Sequence, residues 1–216
     1  MPRSDSTQNG QLMQAFEKLY PSPGSELVFH NAYQLLVSVI LSAQCTDKKV
    51  NEVAPLLFAK FPGFMELGSA KLSALEKIIR PINYYKTKAK NLKAMATKVI
   101  EEFEGEIPKT HELITTLAGV GDKTANVVLG ELKITHTLPV DTHVFRVSKR
   151  LGLASGKNVS EVEKELRSRF PSHLWRNLHH WLILHGRRVC KAQRPLCEAC
   201  ALISICPTGK RIKKMK

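Results

Sequence analysis

The stretch Leu117-Ala118-Gly119-Val120-Gly121-Asp122-Lys123-Thr124-Ala125-Asn126 decides how this chain is read. An amphipathic segment, Thr110 to Ala118, leads into it with Leu113, Ile114 and Leu117 at helical spacing. A second segment follows with Ala125, Val128, Leu129 and Leu132. Two glycines around one valine are too few for a loop and suit a tight helix–hairpin–helix turn. Glycine tolerates positive φ and close backbone approach, so the turn can aim bare N–H groups outward at the start of the second helix. Such an end carries roughly +0.5 of a charge and attracts anions. Gly119-Val120-Gly121 alone is equally compatible with an ordinary glycine-capped turn. Lys123 adds a chemical reason to look further. In the first turn of a helix the dipole disfavours a cation, and with desolvation it favours the neutral, nucleophilic amine. A phosphate cradle beside an activated amine suits chemistry on a nucleic-acid sugar.

The composition points the same way. The chain has 216 residues, with 33 Lys and Arg against 19 Asp and Glu and a formal net charge of +14, which favours a polyanionic partner. Ribosomal and membrane-surface proteins share that bias. No apolar run reaches the roughly 18 residues of a membrane-spanning helix. Met1 to Gly10 is polar and lacks the apolar core of a signal peptide. The cytoplasm, with the nucleoid if the source is bacterial, is the expected location.

After the polar tail the pattern predicts a helix around Gln11 to Tyr20, closed by Pro21-Ser22-Pro23-Gly24. Tyr33 to Ala43 is apolar almost all round, as a central buried helix is, and it delivers Ser42-Ala43-Gln44-Cys45-Thr46-Asp47 at its end. By residue type these polar groups are a helix exit, and Cys45 is a small buried apolar residue. From Asn51 to Glu102, helices are separated by Pro62-Gly63, Gly68 and Pro81. Ser69 is the expected N-cap of the segment carrying Leu72, Leu75, Ile78 and Ile79. Ala89, Leu92, Ala96, Val99 and Phe103 form a core stripe, with Lys88 and Lys93 off it. Ser160 and Glu163 resemble a capping box ahead of the stripe Val162, Leu166 and Phe170. His179, His180 and His185 have no carboxylate at ligand spacing and read as structural or surface residues. Asp141, taken alone, is a helix N-cap before Thr142. No strand alternation and no repeat appears.

Cys190, Cys197, Cys200 and Cys206 form a C-x6-C-x2-C-x5-C cluster. In a chain without secretory features that argues for metal, not disulfides. Four thiolates suit tetrahedral zinc and a [4Fe–4S] cluster about equally. Lys191 and Arg194 lie in the loop between the first two cysteines, so a stapled loop would hold them rigidly against phosphates. Gly209 to Lys216, with five cations, reads as a mobile tail adding salt-sensitive DNA affinity.

The hairpin stretch is similar to the L-P-G-V-G-x-K-T-A signature of the endonuclease III family of DNA glycosylases. Val140-Asp141-Thr142-His143-Val144-Phe145-Arg146-Val147 resembles its second signature, and the cysteine spacing its third. The resemblance runs from about Leu27 to Cys206. It implies an all-α, two-lobed fold. A helical barrel domain with the hairpin spans 25–134, and 1–24 with 135–216 form a discontinuous iron–sulfur domain. The resemblance further implies a [4Fe–4S] cluster on the four cysteines, and Lys123 and Asp141 as the catalytic pair. DNA contacts are implied at Gln44, Gly119, Val120, Gly121, Lys191 and Arg194. The implied partner is double-stranded DNA carrying damaged bases or abasic sites, bound by a monomer with no membrane involved. The implied reaction is removal of oxidised pyrimidines through a lysine Schiff base, followed by β-elimination.

Five positions depart from the family pattern, the first being Cys45, where alanine is commoner. Ala118 stands for proline, Asp122 for a neutral or basic residue, Asn83 for glycine and Tyr84 for an aliphatic wedge. Asp122 is expected to face away from the amine, and Tyr84 either intercalates or packs inward. Two alternatives remain from the residues. One is a non-catalytic helix–hairpin–helix DNA-binding protein with a zinc knuckle. The other is an adenine-mismatch glycosylase, which the lysine and the short extension past the cysteines disfavour.

Overall fold

The computed structural model describes residues 4–214, with side-chain surroundings for 8–212. Among the described residues the structure is helical, with no strand, and no helix is long and apolar enough to cross a membrane. The chain divides into two compact units. One is Ser25–Thr135; the other joins Met1–Gly24 to His136–Lys216.

In the first unit, α2 (Ala32–Ser42) is the central rod. Asn31 caps it by accepting the Gln34 N–H, and Leu35, Leu36, Val37 and Leu41 are fully buried. Burying each such side chain stabilises by about 1.5–3 kcal/mol. Around it lie α3 (Asp47–Lys60), α4 (Phe64–Ser69), α5 (Leu72–Ile79), α6 (Tyr85–Phe103), α7 (His111–Ile114) and α8 (Asp122–Glu131). Ala89, Leu92, Ala96 and Val99 all face the core, as their spacing predicts. The Tyr33 ring meets Phe64 edge-on at 4.9 Å, and its hydroxyl donates to the Phe61 carbonyl at 2.7 Å.

The second unit contains α1 (Ser4–Leu19), α9 (Thr142–Leu151), α10 (Val159–Arg169), α11 (Trp175–Arg188) and α12 (Pro207–Lys214). Phe16 of α1 stacks on Trp181 of α11 at 5.8 Å, and the indole N–H donates to the Tyr20 carbonyl at 3.0 Å. Val162, Leu166 and Phe170 are buried as expected.

Several local expectations fail for physical reasons. The N-terminal helix begins at Ser4 instead of Gln11, because polar residues of the supposed tail are anchored: Gln8 donates to the Ile205 carbonyl and Asn9 accepts from Arg169. Ser69 ends α4 and does not start α5, its hydroxyl turned back to the Met65 carbonyl. Gly68 sits inside α4, where a Cβ would lie 3.4 Å from Ile100 and Thr97 of α6. It is a close-packing residue, not a break. Lys88 is buried, with 6 % of its surface exposed, and Cys45 is only half-buried. The stretch read as a tail is helical through Lys214, started by Pro207, which needs no N–H there. Met215 and Lys216 lie outside the described residues.

The cap of α10 also lies two residues upstream of Ser160. Asn158 accepts the Glu161 N–H at 2.9 Å, and Glu161 reaches back to the Lys157 N–H at 2.7 Å. Glu163 instead pairs with Arg167 at 2.7 Å. Asn158→Ala should therefore cost about 1 kcal/mol, and Ser160→Ala less than about 0.5 kcal/mol. Urea unfolding midpoints of the two variants check this, and the reverse order would restore the Ser160 box.

Candidate functional site

The hairpin is shorter on its first side than its hydrophobic pattern suggests. Thr110 caps α7, which ends at Ile114, and Leu113 is 45 % exposed. Two hydroxyls shorten it: Thr115 and Thr116 bond back to the carbonyls of His111 and Leu113. The chain then turns to bring Gly119 against α2 and α6. Gly119 has φ +82°, and a Cβ there would lie 3.1 Å from Asn91 and 3.3 Å from Ile40. Val120 is buried, so whatever this residue offers a ligand comes from its backbone. Gly121 caps α8 with φ −95° and no side-chain cap, and a Cβ there would meet nothing within 4 Å. The start of α8 is thus left to the solvent or a ligand.

Lys123 follows in the first turn of α8, with its side chain exposed. The desolvation expected for its amine therefore has to come from a bound partner. Asp122 is directed to the other side of the hairpin, 3.6 Å from His111 Nε2, and is 89 % exposed. Gln44, in the same unit, follows the end of α2 in a left-handed conformation with φ 54°, and it is exposed. Tyr84 is 66 % exposed, and Ile82 is the residue that packs inward at that turn.

Asp141, Lys191, Arg194 and the four cysteines belong to the other unit. Asp141 is the N-cap of α9, accepting the Val144 N–H at 2.7 Å, and is half-buried. Further along α9, Arg146 and Arg150 grip the cysteine loop. Arg146 donates to the Cys190 carbonyl at 3.2 Å and the Gly186 carbonyl at 3.0 Å. Arg150 donates to the carbonyls of Lys191 at 2.6 Å and Ala192 at 2.9 Å. Their four-residue spacing puts both on one helix face, the signal that would have revealed them. Lys191 and Arg194 are exposed, and Arg194 adopts φ 48°.

Cys190, Cys197, Cys200 and Cys206 line one cavity, open in part to solvent, with Leu151, Val189, Leu196 and Ile203. Among the described residues no group of three or more His, Cys, Asp or Glu is arranged to hold a single metal ion. Donors point at the sulfurs: Arg150 lies 3.5 Å from Cys190 Sγ and the Gly209 N–H donates to Cys206 Sγ at 3.3 Å. Burial pushes the Cys197 and Cys200 thiols up, and the neighbouring cysteines add to it. A multiply charged cationic group between them would reverse that balance. The three histidines are buried. His179 Nδ1 meets the Pro139 carbonyl at 2.8 Å, and His185 lies between the Tyr20 hydroxyl and Cys200 Sγ. Burial lowers the His185 pKa to about 4, so it is neutral at pH 7.

Residues 37–172 match the family of HhH-GPD superfamily base excision DNA repair proteins. The endonuclease III of Bacillus subtilis is 44 % identical over 91 % of this chain and 90 % of its own. That of Synechocystis is 40 % identical over 93 % of this chain and 92 % of its own. A solved structure of a trapped endonuclease III–DNA covalent intermediate superposes with a TM-score of 0.87 at 40 % identity, covering 97 % of this chain and 98 % of that one.

The two hairpin glycines should respond differently to a methyl group. Gly119→Ala forces a left-handed alanine into contact with Asn91 and Ile40 and should cost about 2 kcal/mol or more. Gly121→Ala meets open space and should cost only about 0.5 kcal/mol, through the poorer cap. Thermal and urea melts of both compare them directly. Equal losses would show that the close approach at Gly119 does not govern the turn.

Proposed function

The chain belongs to the endonuclease III family, within the HhH-GPD superfamily of base excision DNA repair proteins, and is a DNA glycosylase and abasic-site lyase; we propose that Lys123 and Asp141 carry its chemistry and that oxidised pyrimidines in double-stranded DNA are its substrates. The observation behind this reading is the uncapped start of α8 after Gly121, with the exposed amine of Lys123 in the first turn. Backbone N–H groups there suit a DNA phosphate, and an amine beside a held phosphate suits attack on the adjoining sugar.

A base inside the duplex is out of reach, so the damaged nucleotide is first turned out of the stack. Gln44 enters the space it leaves, Tyr84 supplies a wedge from the neighbouring turn, and Lys191 and Arg194 hold phosphates. The Asp141 carboxylate assists loss of a proton from the Lys123 ammonium to solvent and, staying ionised, opposes the positive charge that develops on the sugar. The amine lone pair then bonds to C1′. The glycosidic bond breaks with its electron pair leaving on the base, which takes up a proton. Opening of the sugar ring gives a protonated Schiff base, whose positive charge acidifies the 2′ carbon. Loss of a 2′ proton expels the 3′ phosphate, and the strand is cut.

The four cysteines are proposed to hold a [4Fe–4S] cluster. In support, the donor set is four soft thiols lining one cavity, and N–H donors face two of the sulfurs. When bound, such a cluster would supply iron–thiolate bonds that fasten residues 190–206. Cys197→Ser and Cys200→Ser should then give protein with little iron and weak absorbance near the visible, while Cys45→Ala keeps both. Iron loss on Cys45→Ala would overturn the assignment of the tetrad.

The catalytic pair separates by borohydride trapping. Lys123→Gln keeps the length of the side chain, so it should still bind a duplex with one thymine glycol, yet form no trapped adduct. Asp141→Asn keeps a capping side chain and should bind at least as well, while base excision slows by about 10² or more. Trapping of Asp141→Asn on a preformed abasic site should suffer less, because no base has to be expelled. Normal trapping by Lys123→Gln would move the nucleophile elsewhere, and normal excision by Asp141→Asn would leave Asp141 as a cap alone.

A further inference from the structure

Among the exposed residues other than glycine that adopt the left-handed region in the Ser25–Thr135 unit, two sit in turns that are tied to each other: Gln44 after α2, with φ 54°, and Tyr84 before α6, with φ 57°. Backbone of that kind persists only where its surroundings hold it. Here the holding groups come from one short segment. Asn83 Nδ2 donates to the Gln44 carbonyl at 2.8 Å across 39 residues of chain. Lys88 Nζ donates to the Ala43 carbonyl at 2.6 Å and the Leu41 carbonyl at 2.8 Å. The Lys88 ammonium is buried against the carbonyl end of α2, where the helix dipole favours a cation and offsets the desolvation that pushes its pKa down.

We propose that Asn83 and Lys88 are positioning residues for base extrusion, locking the Gln44 turn and the Tyr84 turn into one preset element before DNA arrives. The proposal rests on the reading of Gln44 as a DNA contact. Asn83 and Lys88 act through the main chain: three carbonyls around the turn, those of residues 41, 43 and 44, each receive a donor from the 83–88 segment. Ordering a loop at the moment of binding costs affinity, and a turn already fixed avoids that cost. Asn83 stands where the family pattern has glycine, which has no side-chain donor.

A double-mutant cycle tests this on the iron-loaded full chain, reading single-turnover excision of thymine glycol from a duplex. Gln44→Ala should slow excision on the order of tenfold. Asn83→Ala, which removes the donor from an exposed turn, should slow it about three- to tenfold, the worth of one net hydrogen bond. Both should keep the visible absorbance of the parent, with Gln44→Ala melting as the parent does and Asn83→Ala no more than about 2–4 °C lower, the stability of the one bond removed. The double variant should be no slower than Gln44→Ala, since Asn83 has then nothing left to position. Lys88→Met, which keeps the buried stem and loses both bonds, should show the same lack of additivity. If Asn83→Ala excises at the parental rate, or slows the Gln44→Ala background as much as the parent, the proposal fails while Gln44 stays a DNA contact. If Gln44→Ala itself excises at the parental rate, the reading of Gln44 fails and takes the proposal with it.

Discussion

At Gly119 the backbone passes so close to Ile40 of α2 and Asn91 of α6 that a Cβ would press on both, and its φ of +82° favours glycine. Much of the Ser25–Thr135 unit follows from this contact. It seats the hairpin directly on the buried rod α2, so Val120 turns inward and Gly121 is left facing outward with nothing near it. The start of α8 is then fixed by the core and not by a loop. The backbone of Lys123, one residue into that helix, inherits the rigidity of the rod beneath it.

The other unit shows a similar economy in α9. Its first turn carries Asp141, held by the Val144 N–H. Its later turns carry Arg146 and Arg150, whose guanidinium groups take up four carbonyls of residues 186–192. One helix thus joins the carboxylate to the loop that bears the first cysteine and Lys191. Planar guanidinium forks suit this task better than ammonium groups, because several donors leave one rigid group in fixed directions.

The parts of the fold that were legible in the sequence rest on strong periodicity or on glycine. The rod at 32–42, the α6 stripe and the stripe from Val162 to Phe170 were readable because one face of each helix is apolar without interruption. The hairpin was readable because glycine spacing constrains a backbone directly. Choices between chemically similar candidates were not readable. Ser69 and Ser160 are good caps by type, yet the Ser69 hydroxyl turns back to the Met65 carbonyl, leaving Lys71 to begin α5, and Asn158 caps α10. The burial of Lys88 was hidden because its partners are main-chain carbonyls more than 40 residues away, and main-chain groups leave no trace in residue type. At the candidate site, residue types suggested chemistry at Lys123 and the cysteines, while the pairing of Asp122 with His111 depended on how the hairpin turns.

The stacking of Phe16 on Trp181 has a consequence for how the chain comes off the ribosome. The bonds from Tyr20 to Trp181 and His185 span 161 and 165 residues of sequence. Helix α1 emerges early but has to wait, its apolar face uncovered, until α11 has been made. Meanwhile the 25–135 unit has every partner it needs and can condense in the interval, since domains fold as their segments become available. Closing the larger loop is slow by comparison, as contacts between distant segments are. The cysteine-bearing segment lies beyond α11. That segment is therefore added to a chain in which residues 25–135 are already packed, and α1 and α11 have only just found each other.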